Sequence, residues 1–255
     1  MDRLLPDPNL ADDAPDPVAD YLDDARPAPP GRPWVVMGMV ASVDGATAVN
    51  GRSGGLGGPG DRRVFRALRG VADMILVGAG TVRAEGYRSP RTSDDVVARR
   101  LAAGRAPCPR LVVVSGSLDL DPEAPLFADR PDEDPPPVVA TVASAPPDRR
   151  AALEPVAELV ACGPNRVDLT GLLAVLDDVG ASVVLCEGGP DLNHQLLAAG
   201  LVDEVCLTIS PRLVGGVGGD GRSLLAGASL PMPTRLRLDR VLAEDGFLFC
   251  RYLVS

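Results

Sequence analysis

From Trp34 to Val40 the chain runs Trp-Val-Val-Met-Gly-Met-Val without a charged side chain. Met74–Val77, Leu111–Val114 and Val183–Cys186 repeat that form. Short unbroken apolar runs predict strands buried on both faces, and hence a parallel sheet covered by helices. Helical stretches fall between them. Pro59–Arg69 opens with a proline in its first turn, and Thr81–Glu85, 94–103, the amphipathic Asp168–Asp178 and Asp191–Ala199 follow. Val138–Val142 and Ala157–Ala161 read as two further strands with a helix between them, and Glu204–Ile209 as another. The last two strands, Arg235–Leu242 and Phe247–Val254, flank Ala243-Glu244-Asp245-Gly246, an Asp-Gly hairpin signal. The expected fold class is therefore α/β: a mostly parallel central sheet flanked by helices, with right-handed crossovers and a C-terminal antiparallel hairpin.

Residues 1–30 are rich in Pro, Asp and Ala. They predict a mobile tail with a short helical turn near Tyr21-Leu22, followed by a single domain over 31–255. Aromatic residues are only 3% of the 255, so the core must be built from Leu, Val and Ala. The formal net charge of −10 argues against a nucleic-acid partner. All 25 basic residues are Arg, so no Lys is available for a Schiff base or as a proton donor. The N-terminus lacks the basic and apolar regions of a signal peptide, and no apolar run is long enough to span a bilayer. Cys108, Cys162, Cys186, Cys206 and Cys250 form no C-x-x-C, which fits a reduced, cytoplasmic compartment. With a single His, at position 194, and dispersed Cys, no metal site is expected.

In open α/β sheets, ligands bind beyond the carboxyl ends of the strands. Three such ends carry conspicuous loops. In Glu187-Gly188-Gly189-Pro190-Asp191-Leu192 two glycines allow close approach of backbone, and the following helix presents free N–H groups, the makings of a phosphate cradle. Asp191 is alternatively a helix N-cap. Val77-Gly78-Ala79-Gly80-Thr81 begins like a dinucleotide fingerprint, but Arg83 stands where the third Gly belongs. Asp44, in Ala41-Ser42-Val43-Asp44-Gly45, either holds a turn or organises a loop that covers a ligand. Arg69 either meets the C-terminal dipole of its helix or grips a phosphate. Glu187 is the one acid directly at a strand end beside the cradle, placed to fix a substrate's polar edge.

Met39-Val40-Ala41-Ser42-Val43-Asp44-Gly45, Arg62-Arg63 to Arg69, Leu76-Val77-Gly78-Ala79-Gly80-Thr81-Val82 and Glu187-Gly188-Gly189-Pro190, in that order, resemble the reductase domain of bacterial riboflavin biosynthesis, the C-terminal half of the bifunctional deaminase–reductase. The resemblance runs from about Trp34 to Tyr252. It implies a dihydrofolate-reductase-like fold, a homodimer, and NADPH-dependent reduction of the ribosyl group of 5-amino-6-(5-phosphoribosylamino)uracil to ribityl. It places Val40, Thr47, Gly55, Thr81 and Glu85 along the cofactor, with Gly78 and Gly80 as a second close-approach loop. Gly188, Gly189, Pro190, Asp191, Leu192 and Asn193, on to Gln195, cradle its pyrophosphate, and Ser115 or Ser117 lies near the adenosine 2′-phosphate. Ser53, Arg69 and Glu187 hold the substrate, with Arg88 or Arg91 as a second phosphate grip. Glu187 orients the base or ribose, and Asp44 orders a loop or relays a proton. The chain has neither the H-x-E nor the P-C-x-x-C of the deaminase half, and Gly38 and Gly55 stand where the bifunctional enzymes often have Lys and carry Trp.

Two other functions fit less of the pattern. A reductase of the same fold acting on another heterocycle, such as dihydrofolate, needs an acid facing the ring edge, which Asp61 or Asp44 supplies. A non-catalytic NADPH-binding regulator would keep the cradle without Ser53, Arg69 and Glu187.

Overall fold

The structure is a computed structural model. It describes residues 1–5, 19–131, 134–215, 223–227, 229–230 and 232–255. The apolar runs form the middle of one ten-stranded sheet: β2 (Trp34–Ser42), β3 (Met74–Gly78), β4 (Arg110–Val114), β5 (Val138–Thr141), β6 (Glu158–Ala161), β7 (Val183–Cys186) and β8 (Glu204–Ser210). These seven are parallel in the order β8-β2-β7-β3-β4-β5-β6. Every residue of β5 and β7 is buried, as their continuous apolar character requires. Two antiparallel strands, β9 (Leu236–Glu244) and β10 (Phe247–Val254), form the expected hairpin, and β10 pairs with β8. The turn is Asp245-Gly246, both with positive φ.

Helices cover the sheet: α2 (Pro59–Val71), α3 (Ala79–Glu85), α4 (Asp94–Ala102), α5 (Pro125–Ala128), α6 (Pro147–Leu153), α7 (Leu169–Asp178) and α8 (Pro190–Ala198). Two of them explain how the site is held. Helix α2 buries Val64, Ala67, Leu68 and Val71. Its Gly60 sits so close to β10 that a Cβ there would lie 2.8 Å from the Phe249 ring. At the other end of α2, the buried Arg100 of α4 donates to the carbonyls of Arg69, Gly70 and Ala72, groups that the helix leaves without partners of its own. Strand β7 is inserted between β2 and β3, so the carboxyl ends of those three strands open on one crevice.

The described parts of the N-terminal segment pack on the domain, where its composition predicts a tail. Residues 6–18 lie outside the described ones, but Asp2–Leu5 form β1, paired antiparallel with β9 at the sheet edge, and Asp20–Asp23 form α1. Tyr21 is fully buried, and the reason is electrostatic as well as apolar. Asp24 accepts two hydrogen bonds from Arg240, at 2.6 and 3.0 Å, while Arg26 and Arg251 both grip the buried Glu204, with contacts of 2.9–3.1 Å. Trp34 Nε1 adds a hydrogen bond to Glu204 at 3.2 Å. Burial alone would raise the pKa of Glu204, but the hydrogen bond from Arg251 and the charge of Arg26 outweigh it and hold the value at about 2.

A carboxylate whose folded pKa is depressed contributes stability above its ordinary value of 4.5, and loses it as pH falls through about 2. We therefore expect unfolding free energy to drop by roughly 3 kcal/mol from this group across that window. Glu204→Gln should remove that part of the acid limb. An unchanged acid limb in urea titrations of the variant would contradict the role given to this cluster.

Candidate functional site

A cavity of about 270 Å³ opens at the carboxyl ends of β2, β7 and β8, against α2. Its apolar wall is Val64, Phe65 and Leu68 of α2, its floor Gly38, Met39, Val40, Cys206 and Thr208, and its rim Thr47, Ser53, Thr81, Glu85, Tyr87 and Glu187. A second, more open groove runs over the start of α8, lined by Gly78, Gly80, Arg83, Ser115, Gly116, Ser117, Asp191, Leu192 and Gln195. Thr81, Ala84, Gly189 and Pro190 border both, so the two spaces meet there.

Glu187 is the hub of the rim. It ends β7 through the bond from its N–H to the Leu76 carbonyl, and its side chain is 1% exposed. Arg69, in the last turn of α2, donates to it twice, from Nε to Oε1 at 2.7 Å and from Nη2 to Oε2 at 2.8 Å. The Tyr87 hydroxyl donates to Oε2 at 2.6 Å. The guanidinium also stacks over Phe65, 4.5 Å from the ring centre. Burial pushes the Tyr87 pKa well up, and the adjacent Glu187 charge adds to this, so the phenol stays a proton-bearing donor. Tyr87 was not singled out in the sequence, where one aromatic after a short helix carries no pattern.

The glycine cradle has a steric basis. A Cβ on Gly189 would lie 2.7 Å from Thr81 Oγ1, and open space surrounds Gly80. Gly189 occupies the cap position of α8 and Pro190 opens it, so Asp191 is not the N-cap but an exposed residue of the first turn, lining the groove. Gly188 and Asn193 line neither space. The Gly188 carbonyl accepts from the Gly78 N–H at 2.9 Å, and buried Asn193 donates to the Leu224 carbonyl at 3.0 Å. They hold the cradle from behind. At the far end of the groove Ser115 Oγ is buried with no hydrogen-bond partner among the described residues, which suits an additional acceptor-rich ligand group. Arg83, read from the sequence only as a missing glycine, lines the same end.

Besides Gly188, Asn193 and Arg69, four expected site residues line neither space. Asp44 does not line the cavity: its carboxylate accepts from Ser42 Oγ and from the N–H groups of Val214 and Gly215, a tether on the loop after β8. The Ser42 hydrogen bond, followed by those two backbone donors, lowers its pKa to about 2. Gly55 is packed against Val49, 3.0 Å from where a Cβ would sit, and its carbonyl accepts from Arg212. Arg88 is exposed and paired with Asp129 at 2.6 Å, and Arg91 is exposed and lines neither space. Val40, Thr47, Ser53, Thr81 and Glu85 do line the cavity, and Glu85 accepts from the Ser53 N–H at 2.7 Å. Arg69 does not line the cavity itself and meets it through Glu187, to which its Nε and Nη2 donate. No group of three or more His, Cys, Asp or Glu suited to a metal occurs among the described residues. No described helix is long and apolar enough to cross a membrane.

Tyr87→Phe should cost about 1.5–3 kcal/mol of stability, since it strips a donor from a buried carboxylate. Arg88→Ala should stay within about 0.5 kcal/mol, as for an exposed pair. Equal shifts of the urea midpoint would contradict this division between rim and surface.

Comparison with known proteins shows the family and the fold. The family model of the RibD C-terminal domain matches residues 33–245. A 2,5-diamino-6-ribosylamino-4(3H)-pyrimidinone 5′-phosphate reductase from Methanothermobacter thermautotrophicus is 35% identical over 209 residues, 82% of this chain and 91% of that one. The riboflavin biosynthesis protein RibD of Mycobacterium tuberculosis is 31% identical over 206 residues, 78% of this chain but 48% of that longer protein. Among solved structures, a pyrimidine reductase-like protein from Corynebacterium diphtheriae superposes with a TM-score of 0.80 at 29% identity, covering 88% of this chain and 92% of that one. The dihydrofolate-reductase-like α/β fold expected from the motifs is therefore borne out, and the chain belongs to the RibD C-terminal domain family, the reductases of riboflavin biosynthesis.

Proposed function

We propose that the chain reduces the ribosyl group of a ribosylaminopyrimidine 5′-phosphate to ribityl, with NADPH as hydride donor. The observation that carries this reading is the junction at Thr81, Gly189 and Pro190 between a groove suited to a dinucleotide and a mostly apolar cavity the size of a nucleotide base and sugar. The cradle fits the cofactor: the Gly189 approach to Thr81 leaves room only for backbone, and the α8 N-terminus offers N–H groups to a pyrophosphate. The orphan Ser115 hydroxyl, with Ser117 and Arg83, fits a 2′-phosphate. When bound, the reduced nicotinamide supplies the hydride.

This chain's own residues then have three tasks. Val64, Phe65 and Leu68 form the apolar wall against which one face of the planar base packs, and exclude water there. Glu187, locked by Arg69 and Tyr87, presents a fixed carboxylate edge to the ribose or base, which aligns the acceptor carbon with the donor. Ser53, whose N–H is held by Glu85, faces the substrate phosphate, and Arg69 serves the substrate through the Glu187 it positions. The tether at Asp44 fixes Val214 and Gly215 of the segment after β8.

The reading includes a cytoplasmic homodimer. In support of the dimer, Leu4 and Leu5 of the edge strand β1 and Leu236 and Leu238 of its neighbour β9 are exposed. Light scattering at micromolar concentration should return twice the 26.4 kDa chain mass, and a monomer would refute this part.

Two further outcomes test the chemistry. NADPH should bind at least about 10-fold tighter than NADH, and Arg83→Ala should narrow the gap, because a guanidinium reads phosphate with paired hydrogen bonds. Equal affinities in fluorescence titrations would rule out the assigned 2′-phosphate end. Glu187→Gln should lower kcat/KM by about 10-fold or more while NADPH affinity stays within about 3-fold. A change confined to cofactor binding would contradict the role of Glu187.

A further inference from the structure

The two faces of the sheet bury separate clusters, as alternate residues of β2 and β7 show. Val35, Met37, Val184 and Cys186 belong to one, Val36, Val183 and Leu185 to the other. The second cluster lies under α2, and the N-terminal segment completes it. Tyr21 of α1, the largest fully buried side chain among the described residues, joins Val64, Ala67 and Leu68 of α2, and Met1 and Leu22 pack against that cluster. The segment also touches α2 near both ends, where the helix carries glycine. A Cβ on Gly60 would lie 3.2 Å from Met1 Cε, and one on Gly70 would lie 2.9 Å from Leu22 Cδ2. Both pieces, 1–5 and 19–32, precede residue 33, where the match to the family model starts.

Charge latches the segment in place. Asp24 meets Arg240, Arg26 meets Glu204, and Arg32 takes Asp203 in a two-pronged contact at 2.6 and 2.8 Å. Arg3 pairs with Asp20 and so ties β1 to α1. The Arg240 guanidinium also stands over the Tyr21 ring, 5.2 Å from its centre. These charges are buried or half-buried and satisfy one another, so releasing the segment would strand them. The helix they back is the one that walls the cavity: Val64 and Leu68 line it, and Arg69, next to Gly70, holds Glu187. No residue of α2 lines the groove over α8.

We propose that the N-terminal segment is a strap that sets the position of α2, with Tyr21 and Leu22 as positioning residues. They act through Val64, Leu68 and Arg69 on the fit of the substrate and leave the cofactor groove untouched. This rests on the functional reading above, which puts the substrate in the cavity and the cofactor in the groove. A close-packed interior passes a shift on one face of a helix to the other, because it holds little free volume to absorb it. With Tyr21 cut back, α2 loses its backing and the cavity wall moves.

The test compares Tyr21→Ala, Tyr21→Phe and Leu172→Ala in the full chain. The Tyr21 hydroxyl has no hydrogen-bond partner among the described residues, so phenylalanine keeps what the strap uses. Leu172 is fully buried in the cluster on the other face, and its truncation is a destabilising control away from α2. Tyr21→Ala should raise KM for 2,5-diamino-6-ribosylamino-4(3H)-pyrimidinone 5′-phosphate by roughly 10-fold or more, as small misplacements of an aligned site do. KM for NADPH should stay within about 3-fold. Tyr21→Phe and Leu172→Ala should leave both values near those of the natural protein. Where Tyr21→Ala does not fold, Leu22→Ala removes the contact at Gly70 and should show the same split at about 3-fold or more. Equal changes for both ligands, no split in either strap variant, or a split as large in Tyr21→Phe or Leu172→Ala would overturn the proposal. If the natural protein does not turn over the pyrimidinone phosphate, the functional reading fails, and the strap is judged by hydrogen exchange instead. Amides of α2 from Phe65 to Gly70 should exchange at least about 10-fold faster in the strap variant than in Leu172→Ala, with those of α8 equal in the two. Equal exchange along α2, or a rise in α8 as large as in α2, overturns the strap.

Discussion

The bidentate contact between Arg69 and Glu187 joins the last turn of α2 to the carboxyl end of β7, two elements 118 residues apart in sequence. Both sides of the cavity hang on it. Helix α2 supplies the apolar wall, and β7 leads directly into the glycine cradle and α8. A buried carboxylate is tolerated only with its oxygens satisfied, and here a guanidinium and a phenol do this together. The same arrangement leaves Glu187 pre-oriented before any ligand arrives, so the ordering cost of aligning it is met in folding rather than in binding.

Around that pair the molecule separates its tasks. The central parallel strands β3 and β7 are apolar on both faces and give a rigid base to the crevice. The groove proposed for the cofactor relies on missing side chains, Gly78, Gly80 and Gly189, and on the start of α8. The cavity proposed for the substrate relies on the opposite: a wall of large side chains, Val64, Phe65 and Leu68. At the other end of β8, Glu204 and its arginines bind the N-terminal segment to the sheet, away from the crevice.

Much of this was legible along the chain, and the parts that were not share a cause. Strands such as Val183–Cys186 carry their burial in their own composition, and the loops at Gly78 and Gly189 announce themselves by glycine at a strand end. Glu187 was readable because it follows such a strand. Its partners were not, since the pairing of Arg69 and Tyr87 with it depends on how α2 and the segment after α3 fold over β7. The N-terminal segment misled for the same reason. Its Pro and Asp content looks like a tail, yet Asp24 and Arg26 find Arg240 and Glu204 some 178 to 216 residues away. Arg88 and Arg91 were plausible phosphate ligands by type and position, but their loop turns them outward, where Arg88 meets Asp129. Asp44 illustrates a motif residue whose two readings only geometry separates: its hydrogen bonds go to backbone of the loop after β8.

The most direct test of the account follows the hydride itself. NADPH deuterated at both C4 positions of the nicotinamide is incubated with the full chain and the ribosylaminopyrimidine phosphate, and the product is examined by mass spectrometry and NMR. The account predicts one deuterium per product molecule, located at C1′ of a ribityl chain. Label in the pyrimidine ring, or oxidation of NADPH without label in the product, would contradict it.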